Sequence, residues 1–138
     1  MTRKLNVLLI DDDSITNFLH KRTLNSTQLT RTIQVAETVQ EALTFWKIPP
    51  GRDEEKPELI FLDLNLPGLS GWDFIDEYKK LESGNHNPPI IVILSASVNY
   101  DDERKAKEMA EVAEYRRKPL TAEMFSEIMD NYFSNKPD

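Results

Sequence analysis

Asp11, Asp12 and Asp13 stand in a row directly after an apolar run, and Asp63 follows a second such run. Ser95 follows a third, and Lys118 follows the least strand-like segment, residues 112–117. These residue types handle phosphate and hard cations. If Asp11, Asp12 and Asp63 converge, three carboxylates within a few ångströms repel one another, and one takes up a proton unless a cation neutralises them. A hard divalent ion with oxygen ligands provides that charge. Mg2+ suits best, since it takes one or two carboxylates, a backbone carbonyl and several waters. Lys118 would add a point positive charge, and Ser95 a donor to an anionic oxygen. Metal, ammonium and hydroxyl together form a clamp for a transferring phosphoryl group. A carboxylate at the centre of the clamp then serves as nucleophile and gives an aspartyl phosphate. Asp63 is the best candidate, because it ends the run expected at the middle of a sheet.

The elements that must position these groups are legible as short apolar runs. Residues 5–10, 58–62 and 89–94 are continuous rather than alternating, as strands of a parallel sheet covered on both faces must be. Residues 32–36 form a weaker β-branched strand, and 112–117 the least strand-like one. Helical patterns fill the gaps. Ser14 is placed to cap a helix on which Ile15, Phe18 and Leu19 share a face. Thr38 and Glu41 have capping-box spacing, with Ala42, Leu43 and Trp46 following at helical intervals. Ser70 heads a helix with Phe74, Ile75, Tyr78 and Leu81 inward and Gly84 as its stop. Residues 101–110 are helix-prone but strongly charged, which implies loose attachment. A last helix starts near Thr121, carries Met124, Phe125, Ile128, Met129 and Tyr132 at core spacing, and meets Pro137 just beyond. The proline-bounded segment 49–57 reads as a charged loop. This βαβαβαβαβα alternation predicts an α/β fold, a doubly wound five-stranded parallel sheet with right-handed crossovers and helices on both faces. In such sheets ligands bind beyond the carboxyl ends of the strands, where all four chemical positions fall.

Composition narrows the function classes. The 138 residues carry 17 Lys+Arg against 24 Asp+Glu, a net charge of −7. An acidic chain lacks the cationic surface that non-specific nucleic-acid binding or polybasic membrane adhesion requires. There is no cysteine, so disulfides, thiolate metal sites and cysteine nucleophiles are excluded. The apolar runs are far shorter than the ~20 residues of a membrane helix. The expectation is one domain over residues 1–138, cytoplasmic, with no effector domain, no direct nucleic-acid partner and no membrane association.

Four strings in this order, VLLIDDDSITNFL, IFLDLNLPGLSGWDFI, IIVILSAS and YRRKPLT, make the chain similar to the receiver domain of two-component response regulators over residues 4–133. The resemblance implies the CheY-like, flavodoxin-like strand order 2-1-3-4-5. It implies Asp63 as phosphoacceptor, with Asp11 and Asp12 joining it around Mg2+ and the backbone carbonyl of Asn65 as a further ligand. Ser95 and Lys118 would contact the phosphoryl group, Lys118-Pro119 would be a cis peptide, and Ser95 with Tyr115 would form the switch pair. A sensor histidine kinase or phosphotransfer protein would supply the phosphoryl group, and a downstream protein of unknown identity would read it. The chain would be a monomer or a phosphorylation-dependent dimer.

Blander and rival readings stand beside these. Asp13 fits a surface or capping residue, Tyr115 a core aromatic, Trp46 a core residue and Trp72 a helix-face residue near the site. His20 and His86 lack metal-ligand spacing. Arg116 and Arg117 sit where the family prefers aliphatic residues, and would pair with Glu123 or Glu127 or form a partner surface. The opening at Asp11 also loosely resembles haloacid-dehalogenase-like phosphatases, which would make Asp11 the nucleophile of a small Mg2+-dependent enzyme. A third possibility is an interaction module that never takes phosphate.

Overall fold

The computed structural model describes residues 4–47, 56–81, 88–97 and 99–134. Five parallel strands, β1 (Leu5–Ile10), β2 (Thr30–Ala36), β3 (Leu59–Leu62), β4 (Ile90–Ser95) and β5 (Val112–Arg117), form one sheet in the order β2-β1-β3-β4-β5. The helices are α1 (Ser14–Thr27), α2 (Val39–Leu43, running on into a 3-10 turn, Thr44–Trp46), α3 (Gly71–Leu81), α4 (Tyr100–Glu108) and α5 (Ala122–Tyr132). No helix among the described residues is long and apolar enough to cross a membrane.

The period of two along a strand sends alternate side chains to opposite faces, and continuous apolarity fills both. On one face Leu8, Ile10, Ile60, Leu62, Ile91 and Ile93 pack against α2, α3 and Ala106 of α4. Trp46, Phe74 and Tyr78 close that layer, with the Trp46 and Tyr78 rings edge-on at 5.4 Å. On the other face Val7, Leu9, Phe61, Val92 and Leu94 meet Leu24 of α1 and Phe125, Ile128 and Met129 of α5. Asn6 is the polar exception inside β1. Its side-chain oxygen accepts from Thr32 at 2.9 Å and Arg31 at 3.1 Å, so its burial leaves no orphaned acceptor.

The caps follow local chemistry. Thr38, Ser70, Asn99 and Thr121 each accept a backbone amide at the start of a helix. Ser14 does not cap α1. Asp13 takes that place, accepting the Ile15 amide at 3.3 Å and the Thr16 hydroxyl at 2.5 Å, and Ser14 is the first helical residue. The strand bounds also shift: β2 starts earlier than expected, at Thr30, and β4 runs on to Ser95.

The largest difference from expectation concerns which way α1 faces. Ile15, Phe18 and Leu19 are 69%, 60% and 50% exposed. The buried residues of this helix are Asn17, His20 and Leu24. At 100° per residue those three fall on one stripe, Ile15 points almost directly away from it, and Phe18 and Leu19 lie well off it. Leu81 is likewise exposed rather than inward. The charged helix α4 buries only Ala106, yet it is not loose. Trp72 at the start of α3 donates its indole N–H to Asp102 at 3.3 Å and lies 4.5 Å beneath the Lys105 ammonium. Gly84, His86 and Pro137 lie outside the described residues, as does most of the 49–57 loop.

Candidate functional site

All the chemistry-bearing positions come together at the carboxyl edge of the sheet. Asp11 leaves β1 with its amide on the Ala36 carbonyl at 3.0 Å, and Asp63 leaves β3 with its amide on the Ile10 carbonyl at 2.9 Å. The sheet ladder thus continues one residue past each strand and fixes both aspartates rigidly. From the far side of β4, the Lys118 amide donates to the Ser95 carbonyl at 2.7 Å, and the Lys118-Pro119 peptide is cis.

The Lys118 ammonium donates to Asp11 Oδ2 at 2.6 Å and to Asp63 Oδ2 at 3.2 Å. Each carboxylate keeps a second partner. Asp11 Oδ1 accepts the Asp13 amide at 2.9 Å, and Asp63 Oδ1 accepts the Asn65 amide at 3.0 Å. Asp11 and Asp63 are buried, and Asp12 is exposed at the rim. One carboxylate oxygen from each of the three lies within 4.8 Å of the others. Oxygen donors alone, with no thiolate or imidazole among them, suit a small hard cation.

The charge balance is unequal. Two buried carboxylates share one ammonium, with a third carboxylate beside them. Burial pushes the Asp63 carboxyl above its ordinary value and the Asp11 charge adds to the rise, which the Asn65 amide and Lys118 offset only in part. Burial alone would lower Lys118, but its hydrogen bond to Asp11 and the charges of Asp11 and Asp63 outweigh that and hold the ammonium above its ordinary value. The site is short of positive charge and strongly retains the charge it has.

Ser95 is half-buried and donates its hydroxyl to the Ser97 carbonyl at 2.6 Å. The Tyr115 ring packs against the core face that holds Ile91 and Ile93, and its hydroxyl is buried without a hydrogen-bond partner. Arg116 pairs with Glu114 at 2.7 Å and with Glu127 at 2.6 Å, while Arg117 is exposed.

Two residues that the sequence reading did not place at the site are Asn17 and His20. With Asp11 and Asp63 they line a small cavity under the carboxylates. Asn17 donates to the Asp11 carbonyl at 2.8 Å, and His20 Nε2 accepts the Leu120 amide at 3.2 Å. Their helical spacing with Leu24 was the available signal. The apolar trio beside them, which looked like the inward face, concealed it.

Burial, followed by the nearby Lys118 charge, lowers the His20 imidazole from its ordinary 6.5, with Asp11 opposing. The unfolded chain then binds this proton more readily than the folded one. The corresponding stability is therefore complete above about pH 6.5 and is lost as pH falls towards the folded value. Thermal melts of wild type and His20→Gln between about pH 7.5 and about pH 5.5 check this. The stability difference between the two proteins is expected to shrink with acidification, and a constant difference contradicts a neutral buried imidazole.

Comparison with known proteins gives a consistent picture. The family model described as the response regulator receiver domain matches residues 7–130. A two component response regulator from Cytophaga hutchinsonii superposes with a TM-score of 0.84 at 32% identity, covering 96% of this chain and 100% of that one. A chain in the Saccharomyces cerevisiae co-crystal of the histidine phosphotransfer protein Ypd1 with the Ssk1 receiver domain superposes with a TM-score of 0.77 at 28% identity, covering 96% and 90%. Among curated relatives, the sensory transduction protein LytT of Bacillus subtilis is 28% identical over 132 residues. That match takes in 93% of this chain and 48% of LytT, so the chain spans about half the length of this relative.

Proposed function

Because the chain belongs to the response regulator receiver domain family, we propose that it is a phosphoryl-accepting switch whose acceptor is Asp63. The donor is a phosphohistidine on a sensor kinase or a phosphotransfer protein. An Asp63 carboxylate oxygen attacks phosphorus, the phosphorus–nitrogen bond breaks, and the electron pair returns to the leaving imidazole. The observation that supports this reading is the Lys118 ammonium bridging Asp11 and Asp63 at the carboxyl edge of the sheet. It is a cation already placed where a phosphoryl oxygen would develop charge. Asp11, Asp12 and Asp63, with the Asn65 backbone carbonyl, would hold Mg2+. The ion supplies charge neutralisation and orientation for the phosphoryl oxygens.

This chain's own groups do the rest. The Asn65 amide keeps one Asp63 oxygen engaged and leaves the other to react. Lys118 transfers its bond from Asp63 to a phosphoryl oxygen, and Ser95 turns its hydroxyl from Ser97 to another. A phosphoryl group brings roughly −1.5 to −2 charges. That charge would draw Ser95 and the loop after β4 inward, with Tyr115 and α4 as the elements that respond. No outside substrate is turned over, so the protein acts as a signalling module rather than an enzyme.

Intact-mass spectrometry after incubation with Mg2+ and acetyl phosphate tests the proposal. A single phosphoryl adduct is expected, abolished by EDTA. If the adduct is too short-lived to see, binding of beryllofluoride replaces it as the readout. Failure of both would return the chain to the interaction-module reading. Steady turnover of an aryl phosphate that requires Asp11 but not Asp63 would instead favour the phosphatase reading.

The exposed residues Ile15, Phe18 and Leu19 lie in the first two turns of α1, beginning two residues after the Asp11–Asp13 run. A contiguous apolar patch flanking a reactive edge is a place for a protein donor to rest. Phe18→Ala is expected to slow phosphotransfer from a phosphorylated histidine phosphotransfer protein by roughly tenfold, as loss of an aromatic anchor does at other interfaces. The acetyl phosphate rate should stay unchanged. Equal slowing with both donors would place Phe18 in the fold of the site rather than on a docking face.

A further inference from the structure

Of the two buried polar side chains of α1, Asn17 hydrogen-bonds the Asp11 carbonyl and His20 the Leu120 amide. We infer that His20 is a positioning residue for Lys118, acting as the acceptor that anchors the far side of the loop carrying the ammonium. The inference rests on the reading of Lys118 as the group that meets the phosphoryl oxygen.

Lys118 sits at the start of the β5–α5 loop. Its own amide is tied to the Ser95 carbonyl at 2.7 Å, which fixes the near side. Pro119 has no N–H. The first hydroxyl of α5, on Thr121, is committed to the Met124 amide at 3.1 Å. The Leu120 amide, between Lys118 and the helix, is a donor through which the loop is fastened to α1. Leu120 is 2% exposed, and among the described residues β5 is the edge of the sheet, so the Leu120 amide has no neighbouring strand to donate to. His20 Nε2 accepts from it, at 3.2 Å and across 100 residues of sequence. A buried donor left without an acceptor is unfavourable, so the loop settles where the imidazole is.

The chemistry of the ring fits the task. A nitrogen that accepts must be unprotonated, so the neutral imidazole carries its proton on Nδ1. Such a ring offers a rigid acceptor at a fixed distance from the helix. An aliphatic residue at this position would fill the space and leave the Leu120 amide unserved. Asn17, one turn earlier, holds the Asp11 carbonyl at 2.8 Å. One helix thus fastens two loops, that of the acid at Asn17 and that of the ammonium at His20. The two side chains share the cavity lined by Asp11 and Asp63. A shift of the loop by an ångström moves Nζ off a contact that is 3.2 Å long.

The test compares wild type, His20→Gln and His20→Leu as full chains, each checked for folding by circular dichroism. Gln carries an acceptor at about the reach of Nε2, and Leu carries none. His20→Leu is expected to form the acetyl phosphate adduct roughly tenfold more slowly, the low end of what losing an orienting partner costs. His20→Gln is expected to stay within about twofold of wild type. The Leu120 amide proton should move upfield in the Leu variant and stay near its wild-type position in the Gln variant. In wild type the imidazole nitrogen shifts should report the Nδ1–H tautomer. Equal adduct rates in His20→Leu and wild type would overturn the inference. So would a Gln variant as slow as Leu, since ring shape and not the acceptor would then matter. Should His20→Leu fail to fold, His20→Asn, polar but too short to reach, takes its place. If wild type itself takes no phosphoryl group, the proposed function fails separately. The nitrogen shift of Lys118 Nζ, compared across the same variants without any donor, then decides the positioning alone.

Discussion

Asp63→Asn is expected to remove phosphoryl acceptance completely while leaving the fold intact. The amide nitrogen and oxygen of Asn offer no anionic nucleophile, so the adduct seen with acetyl phosphate and Mg2+ should vanish rather than slow. The fold should survive because the substitution is nearly isosteric and keeps the contact that orients the side chain: Asn Oδ1 still accepts the Asn65 amide, now at 3.0 Å from Asp63. Lys118 loses its weaker bond, at 3.2 Å, and retains the stronger one to Asp11, at 2.6 Å. Burial and the Asp11 charge both push the Asp63 carboxyl towards neutrality. Removing the charge relieves a repulsion, and thermal stability should change by about 1 kcal/mol or less, in the stabilising direction. Intact mass and a thermal melt on the same preparation read both quantities. Persistence of the adduct would move the acceptor to Asp11 or Asp12. A collapse in stability would mean that the Asp63 charge holds the site together rather than serving it.

The site was legible in the sequence to the extent that its parts end strands. Where an apolar run of four to six residues stops, the next side chain must lie at the sheet edge, so Asp11, Asp63 and Ser95 could be placed without knowledge of long-range contacts. Lys118 was placed by the alternation of elements, which makes the polar segment VAEYRR the fifth strand. Caps at Thr38, Ser70 and Thr121 were legible for a related reason, since each involves only three or four residues. The strand order came with the family resemblance. What stayed hidden depends on how separate elements meet. Within α1 the spacing of Asn17 and His20 with Leu24 was a weak sign that they face inward while Ile15, Phe18 and Leu19 face out. The hydrophobic pattern favours the opposite choice. Asp13 outcompeted Ser14 as a cap because its carboxylate reaches both the Ile15 amide and the Thr16 hydroxyl. Pairing of Arg116 with Glu127 was foreseeable from helix–strand proximity, whereas that with Glu114 joins two residues on the same face of β5.

Gly71→Ala is expected to damage both stability and acceptance, against the ordinary preference of helices for alanine. Gly71 is the first residue of α3, and its amide donates to the Leu64 carbonyl at 3.0 Å. A Cβ built there would lie 2.7 Å from the Asp63 carbonyl oxygen, 2.9 Å from Leu64 Cα and 3.0 Å from Leu64 Cδ2. Two of those three atoms are backbone, so no rotamer change relieves them. In an open helix the substitution would gain up to about 1 kcal/mol. Here overpacking against the chain that carries the acceptor reverses the sign, with a net loss of about 3 kcal/mol in urea unfolding. The strand-end backbone of Asp63 must then move, and with it the Asn65 amide that orients the carboxylate, so the adduct rate should fall as well. Gly68 separates the two reasons for a glycine. It has φ +78° and nothing within 4 Å of an added Cβ. Gly68→Ala meets conformational strain alone and should cost about 1–2 kcal/mol, with the adduct rate unchanged. If Gly71→Ala proves as stable as wild type, α3 has room to withdraw from Asp63, and the rigidity attributed to the acceptor's backbone is lost. If it is unstable yet accepts phosphate at the wild-type rate, the close approach serves packing alone. The combined loss, with Gly68→Ala impaired only in stability, is what a helix start pressed against the reacting residue requires.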